Sequence, residues 1–125
     1  MKYLLDTTLV VDLAHGTAAA RTVFESLFGD PNDLYTCDVV TAEALSGGDD
    51  DHRETVVRLL DVLEYVSTIP DAARRAGQSR RSRGAYGRRT LGDALIGGVA
   101  QSLGATVVTR NPRDFVQQGI PVLAY

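Results

Sequence analysis

At 125 residues the chain has room for one domain, residues 1–125, whose core would bury roughly two-thirds of the unfolded surface. Its 44% apolar and 23% charged content is that of an ordinary globular protein, and a single cysteine, Cys37, excludes an internal disulfide. No uncharged run reaches the ~20 residues of a spanning helix, and Asp6 breaks the apolar start too early for a secretory leader, so a cytoplasmic protein away from membranes is expected. The net charge of −3 conceals an asymmetry: residues 1–71 carry −10 and residues 72–125 carry +7, with seven arginines between Arg74 and Arg89. Such a split suits a polyanion or a charged protein partner.

The elements follow in chain order. Tyr3-Leu4-Leu5 is a continuous apolar run, as in a strand buried on both faces. Thr7 or Thr8 can cap the next helix, where Leu9, Val10 and Leu13 keep helical spacing until Gly16. A second helix over 18–28 places Val23, Phe24, Leu27 and Phe28 on one side. After the turn at Pro31-Asn32, Leu34–Cys37 reads as strand two, and Asp38 can cap a short helix closing at Gly47-Gly48. The Asp49–Asp51 run is a helix start, favoured there by the amide dipoles, and Val56, Leu59, Leu60 and Leu63 give that helix its apolar side. Residues 65–69 read as strand three. Pro70-Asp71 opens the arginine-rich stretch, where Gly77, Gly84 and Gly87 argue against an unbroken helix. Leu91, Leu95, Val99 and Leu103 predict a strong helix closed by Gly104, followed by a strand over 106–109, a short helix from Pro112 and a last strand at Pro121-Val-Leu. Strands alternating with helices predict a three-layer α/β/α sandwich around a mainly parallel sheet. Ligands in such sheets bind beyond the carboxyl ends of the strands.

Four acids fall where this fold would aim them at that edge. Asp6 closes strand one, Glu43 lies in the helix after strand two, Asp93 opens the helix before strand four, and Asp114 follows strand four. Like charges in one cleft repel, and a hard divalent cation, Mg²⁺ or Mn²⁺, is the usual reason for gathering them. Each acid also has a local alternative. Asp6, Asp93 and Asp114 stand at helix starts, where an acid is favoured without any metal. Glu43 projects between Val39 and Val40 on the face expected to pack inward, so it needs either a metal or an arginine. His15, beside Gly16, and His52, in an acidic turn, read as surface residues, and Cys37 as a buried, inert thiol.

The same residues resemble the pattern of PIN-domain nucleases, and the chain is similar to the VapC-type toxins of bacterial toxin–antitoxin pairs. The opening LLDTTLVVDL, Glu43 within TAEAL, the helix GDALIGGVA and the segment VVTRNPRDF carry the resemblance across the whole chain. Two positions depart from the pattern: Thr8, where Asn or Ser is commoner, and Gly97-Gly98, where alanines are more usual. The resemblance implies a PIN-like fold and a Mg²⁺- or Mn²⁺-dependent endoribonuclease whose metal is held by Asp6, Glu43, Asp93 and Asp114. Thr7, Thr109 and Asn111 become candidates for hydrogen bonds to the carboxylates or to water, with local capping as their alternative. Arg88, Arg89, Arg110 and Arg113 flank the late acids and are candidates for RNA-backbone contacts, and Tyr86 for stacking on a base. A cognate antitoxin whose C-terminal segment wraps the toxin, and a homodimer, are further implications.

Two rivals are weighed against this reading. A signalling receiver domain shares the length and the sheet, but it needs a second acid after strand one and a lysine ending the last strand. Thr7 follows Asp6 here, and the chain's one lysine is Lys2. A catalytically silent PIN module that only binds partners is the other rival, and all four acids being present argues against it.

Overall fold

The structure, a computed structural model, describes residues 1–82 and 90–125. In chain order the elements are β1 (Lys2–Leu5), α1 (Thr7–Ala14), α2 (Ala18–Leu27), β2 (Asp33–Cys37), α3 (Asp38–Ala44), α4 (Asp50–Asp61), β3 (Glu64–Val66), α5 (Pro70–Ser82), α6 (Leu91–Leu103), β4 (Thr106–Thr109), α7 (Pro112–Val116) and β5 (Val122–Ala124). The strands form one sheet in the order β3-β2-β1-β4-β5, with all four pairings parallel. Helices cover both faces, which gives the three-layer sandwich expected from the alternation of elements. β1 holds the centre, which is why its Leu4 and Leu5 are fully buried. The chain builds outward from β1 to β3 on one side and then crosses to β4 and β5 on the other. The order therefore reverses between β1 and β4, the place where open parallel sheets bind ligands.

Several local expectations change on contact with tertiary structure. Strand three is Glu64–Val66 rather than 65–69. The Asp38 carboxylate, expected to cap a helix, instead accepts hydrogen bonds from the Tyr65 hydroxyl (2.6 Å) and the Thr68 amide (2.9 Å), drawing the chain out of the sheet before Pro70. Those two donors hold its carboxyl below the ordinary carboxylate range. Asp49, by contrast, is a true cap: its side chain accepts from the His52 amide at 2.8 Å. Helix α5 runs unbroken through Gly77, and Gly84 and Gly87 lie outside the described residues.

Helix α6 differs most from its leucine spacing. Leu91 is 55% exposed, while Ala94, Ile96, Gly97, Gly98, Val99 and Ala100 are buried. The buried side is built of small residues because α6 lies close against its neighbours. A Cβ on Gly98 would collide with the Ala72 carbonyl of α5, and one on Gly97 with the side chain of Gln118. Close packing thus accounts for a glycine pair that helix propensity disfavours by about 1 kcal/mol per residue. Among the described residues no helix is long and apolar enough to cross a membrane.

Candidate functional site

Asp6 ends β1 at the reversal of strand order, and its backbone amide donates to the Val108 carbonyl of β4 at 3.0 Å. The side chain is 3% exposed. Asp6 occupies the N-cap position of α1, yet its carboxylate makes no capping bond. Its Oδ2 instead accepts from the Thr109 hydroxyl at 2.7 Å and the Thr8 hydroxyl at 3.0 Å. Each hydroxyl is oriented in turn by an amide of the loop after β4: Arg110 N–H donates to Thr8 Oγ1 (3.2 Å) and Asn111 N–H to Thr109 Oγ1 (3.0 Å). A hydroxyl that accepts from an amide gives its one proton elsewhere, here to Asp6. Among the described residues no side-chain donor reaches Oδ1. Burial raises the Asp6 pKa, and the Thr109 and Thr8 hydroxyls partly oppose that rise.

Glu43 does not pack inward as its helical projection suggested. It is exposed, and its Oε1 accepts from the Thr7 hydroxyl at 2.7 Å rather than from an arginine. The side chain lies over the first turn of α6, where a Cβ on Gly92 would stand 2.7 Å from Glu43 Oε2. The absence of a side chain at Gly92 leaves the space that the Glu43 carboxylate occupies. Thr7, the residue after Asp6, links Glu43 to the end of β1.

Asp93 is the third residue of α6, and its amide donates to the capping Thr90 hydroxyl at 3.2 Å. The local capping alternative is thus realised, but the carboxylate answers to more than its own helix. Its pKa is raised to about 6, first by burial and then by the charges of Asp6 and Asp114, while Thr90 opposes the shift. Asp114 lies on α7, which starts with Asn111 as N-cap and Pro112 as first residue. Gln118 fastens the two acid-bearing segments together, its Nε2 donating to the backbone carbonyls of Asp93 and Asp114, both at 3.2 Å. The buried Gly97 leaves the space that Gln118 occupies.

Among the described residues no three His, Cys, Asp or Glu side chains stand close enough to enclose an ion as they lie. The donor set nevertheless suits a hard cation. The charges of Asp6 and Asp114 both act on Asp93, the ligating atoms these acids offer are carboxylate oxygens, and none of the four acids is ion-paired among the described residues.

The remaining sequence candidates divide. Thr109 and Thr7 hydrogen-bond to Asp6 and Glu43 respectively, whereas Asn111 takes part through its backbone and its side chain makes no cap bond. Arg110 is engaged elsewhere: its Nη1 donates to both oxygens of Asp12, at 2.9 and 3.1 Å. Asp12 is 5% exposed and also accepts from the Tyr125 hydroxyl at 2.7 Å. Burial and the Asp12 carboxylate push the Tyr125 phenol far above its ordinary pKa, so it stays a donor. Arg113 is exposed and unpaired among the described residues. Arg88, Arg89 and Tyr86 lie outside the described residues. His15 and His52 stack on each other at 4.7 Å between ring centroids. Thr8 was read from sequence as a possible helix cap and as a departure from the family pattern, not as a partner of Asp6, and Asp12 and Gln118 were not singled out. A hydroxyl two residues after Asp6 was a visible signal for Thr8, while nothing local marks the other two.

The five-stranded parallel sheet has its strand-order reversal beside Asp6, and the PIN-domain family model matches residues 3–119. The chain belongs to that family. Within it the resemblance is to VapC-type members. The chain is 26% identical over 113 residues to Ribonuclease VapC19 of Mycobacterium tuberculosis, covering 90% of each. It superposes on VapBC2 from Rickettsia felis, a structure bound to a DNA fragment from their promoter, with a TM-score of 0.85 at 21% identity, covering 100% of this chain and 99% of the other. A toxin–antitoxin complex from Klebsiella pneumoniae gives a TM-score of 0.76 at 27% identity, covering 98% and 96%.

Proposed function

We propose that this chain is a metal-dependent endoribonuclease and the toxin of a toxin–antitoxin pair, acting on RNA in the cytoplasm. The observation that carries the reading is Asp93, lifted to about 6 by burial and by the charges of Asp6 and Asp114, with no basic side chain among the described residues paired to any of them. Asp6, Glu43, Asp93 and Asp114 would hold Mg²⁺ or Mn²⁺, which when bound supplies an activated water and offsets charge on the phosphate. Asp6 offers Oδ1, because Thr8 and Thr109 already occupy Oδ2. Asp93 would serve the metal as an anion, as carboxylate ligands do. Thr7 steadies Glu43 at the mouth of the cleft. In the reaction the water oxygen bonds to phosphorus as the phosphodiester P–O bond breaks, and no histidine base is needed.

Arg113, Arg88 and Arg89 are the proposed contacts to the RNA backbone, because acids alone would repel it. Arg110 is left out of that role on account of its bonds to Asp12. A cognate antitoxin is the proposed protein partner, on the strength of the toxin–antitoxin complexes that share the fold, and a homodimer is the proposed assembly.

The deciding experiment maps cleavage ends on total cellular RNA with Mn²⁺ or EDTA, comparing the intact protein with Glu43→Gln. Metal-dependent ends absent from the variant are expected. RNA or antitoxin binding without any cleavage would leave a catalytically silent PIN module in place of a nuclease.

A further inference from the structure

We infer that Asp12, Arg110 and Tyr125 form a positioning clamp that aims the Asp6 carboxylate from outside the acidic cleft; the inference rests on the metal-dependent reading above. Asp12 lies on α1, Arg110 follows β4 and Tyr125 follows β5, so the three tie the segments on either side of the strand-order reversal. The Asp12 carboxylate takes Arg110 Nη1 on both oxygens and the Tyr125 hydroxyl on one. Fixing Arg110 fixes its amide, which donates to Thr8 Oγ1, and Thr8 then donates to Asp6 Oδ2. The next amide in the same loop, Asn111, orients Thr109 towards that same oxygen. Hydrogen bonds at both ends of Arg110, joined through its own side chain, thus connect Tyr125 to Asp6 and direct the Thr8 hydroxyl to Oδ2 rather than Oδ1.

Packing alone does not call for this arrangement. A carboxylate 5% exposed on a helix that otherwise buries leucine and valine is costly unless paired. Apolar residues in place of a buried ion pair are often neutral or stabilising. What the pair adds is direction: Arg110 is held in one place, and its amide with it. Partners of metal-ligating groups commonly change metal affinity by about 10–100-fold when removed.

The test is a double-mutant cycle on the full chain, read as the Mn²⁺ dissociation constant measured by electron paramagnetic resonance without RNA, at a temperature where every variant is folded. Asp12→Asn is expected to weaken Mn²⁺ about tenfold in the otherwise native protein and less than about twofold in the Thr8→Val background, because the effect travels through Thr8. Arg110→Ala should match Asp12→Asn, and Arg110→Lys should restore part of the affinity, since a single nitrogen makes both contacts to Asp12. Tyr125→Phe, which deletes one hydroxyl, supplies a gentler variant if Asp12→Asn does not fold, and about a threefold weakening is expected. Lower melting temperatures with unchanged Mn²⁺ affinity, or equal losses in both backgrounds, would make the clamp merely structural and overturn the inference. Failure of the unmutated chain to bind Mn²⁺ would instead overturn the metal-dependent reading, and the clamp with it.

Discussion

Both hydroxyls that reach Asp6 settle on one oxygen, Oδ2, and that choice gives the residue its proposed chemistry. A buried carboxylate whose side-chain donors among the described residues all settle on one oxygen suits a ligand that supplies positive charge to the other. Asp6→Asn keeps the shape and removes the charge; RNA cleavage should fall by about 100-fold or more while the thermal melt stays cooperative. Asp93 sets the pH response. Its pKa is raised in the folded chain, from 3.8 to about 6, so its contribution to stability is fully present below pH 3.8 and is lost as pH rises through about 6. In EDTA the protein should therefore lose stability across that window, whereas added Mn²⁺ should offset the loss. The gap between the two melting temperatures, followed by scanning fluorimetry, should widen from pH 4 to pH 7, and a gap independent of pH would separate Asp93 from the metal. At this scale Asp6, Asp93 and Asp114 stood out because each lies at the end of a strand or in the first turn of a helix, whereas Glu43, near the end of α3, stood out only by its helical projection. The hydroxyl pairing was not: Thr7 and Thr8 are adjacent and chemically alike, and only the sheet register decides that one serves Glu43 and the other Asp6.

Among the elements, α6 carries the most sequence that looks wrong in isolation. Its Gly97-Gly98 pair reads as a weak helix, and its leucine spacing points to a side that includes the exposed Leu91. Both misreadings have one cause, the approach of α5 and of Gln118, which sequence periodicity does not contain. Gly98→Ala should destabilise by about 1–3 kcal/mol from the forced shift of the Ala72 carbonyl, more than the roughly 1 kcal/mol regained in propensity, as measured by urea unfolding. Gly92→Ala should behave in the opposite way. The three atoms nearest its new Cβ all belong to the flexible end of Glu43, so stability should hold while cleavage drops about tenfold through displacement of that carboxylate. Equal stability losses in the two variants would refute this division between a packing glycine and a site glycine. Strand three was misplaced for a similar reason, because the Asp38 bonds to Tyr65 and Thr68 span 27 and 30 residues.

Over the whole molecule, the alternation of strand and helix was enough to read a parallel sandwich, and the strand order then follows few rules. The charge division between the first 71 residues and the rest is equally plain in the sequence, and it yields a prediction about RNA. Replacing both Arg88 and Arg89 with alanine should weaken binding of single-stranded RNA and reduce the slope of log K against log salt by about 1.4, at roughly 0.7 per phosphate contact. Filter binding across a salt series checks it, and an unaltered slope would make the two arginines bystanders.

The central place of β1 has one more consequence. It pairs with β2, which comes soon after it, and with β4, about a hundred residues later in the chain. The hydroxyl of Thr109, at the end of that late strand, reaches Asp6 only once the strand has docked. A half-assembled chain therefore carries Asp6 without the hydroxyl that orients it. The proposed RNA cleavage should accordingly return during refolding no sooner than the last cooperative step.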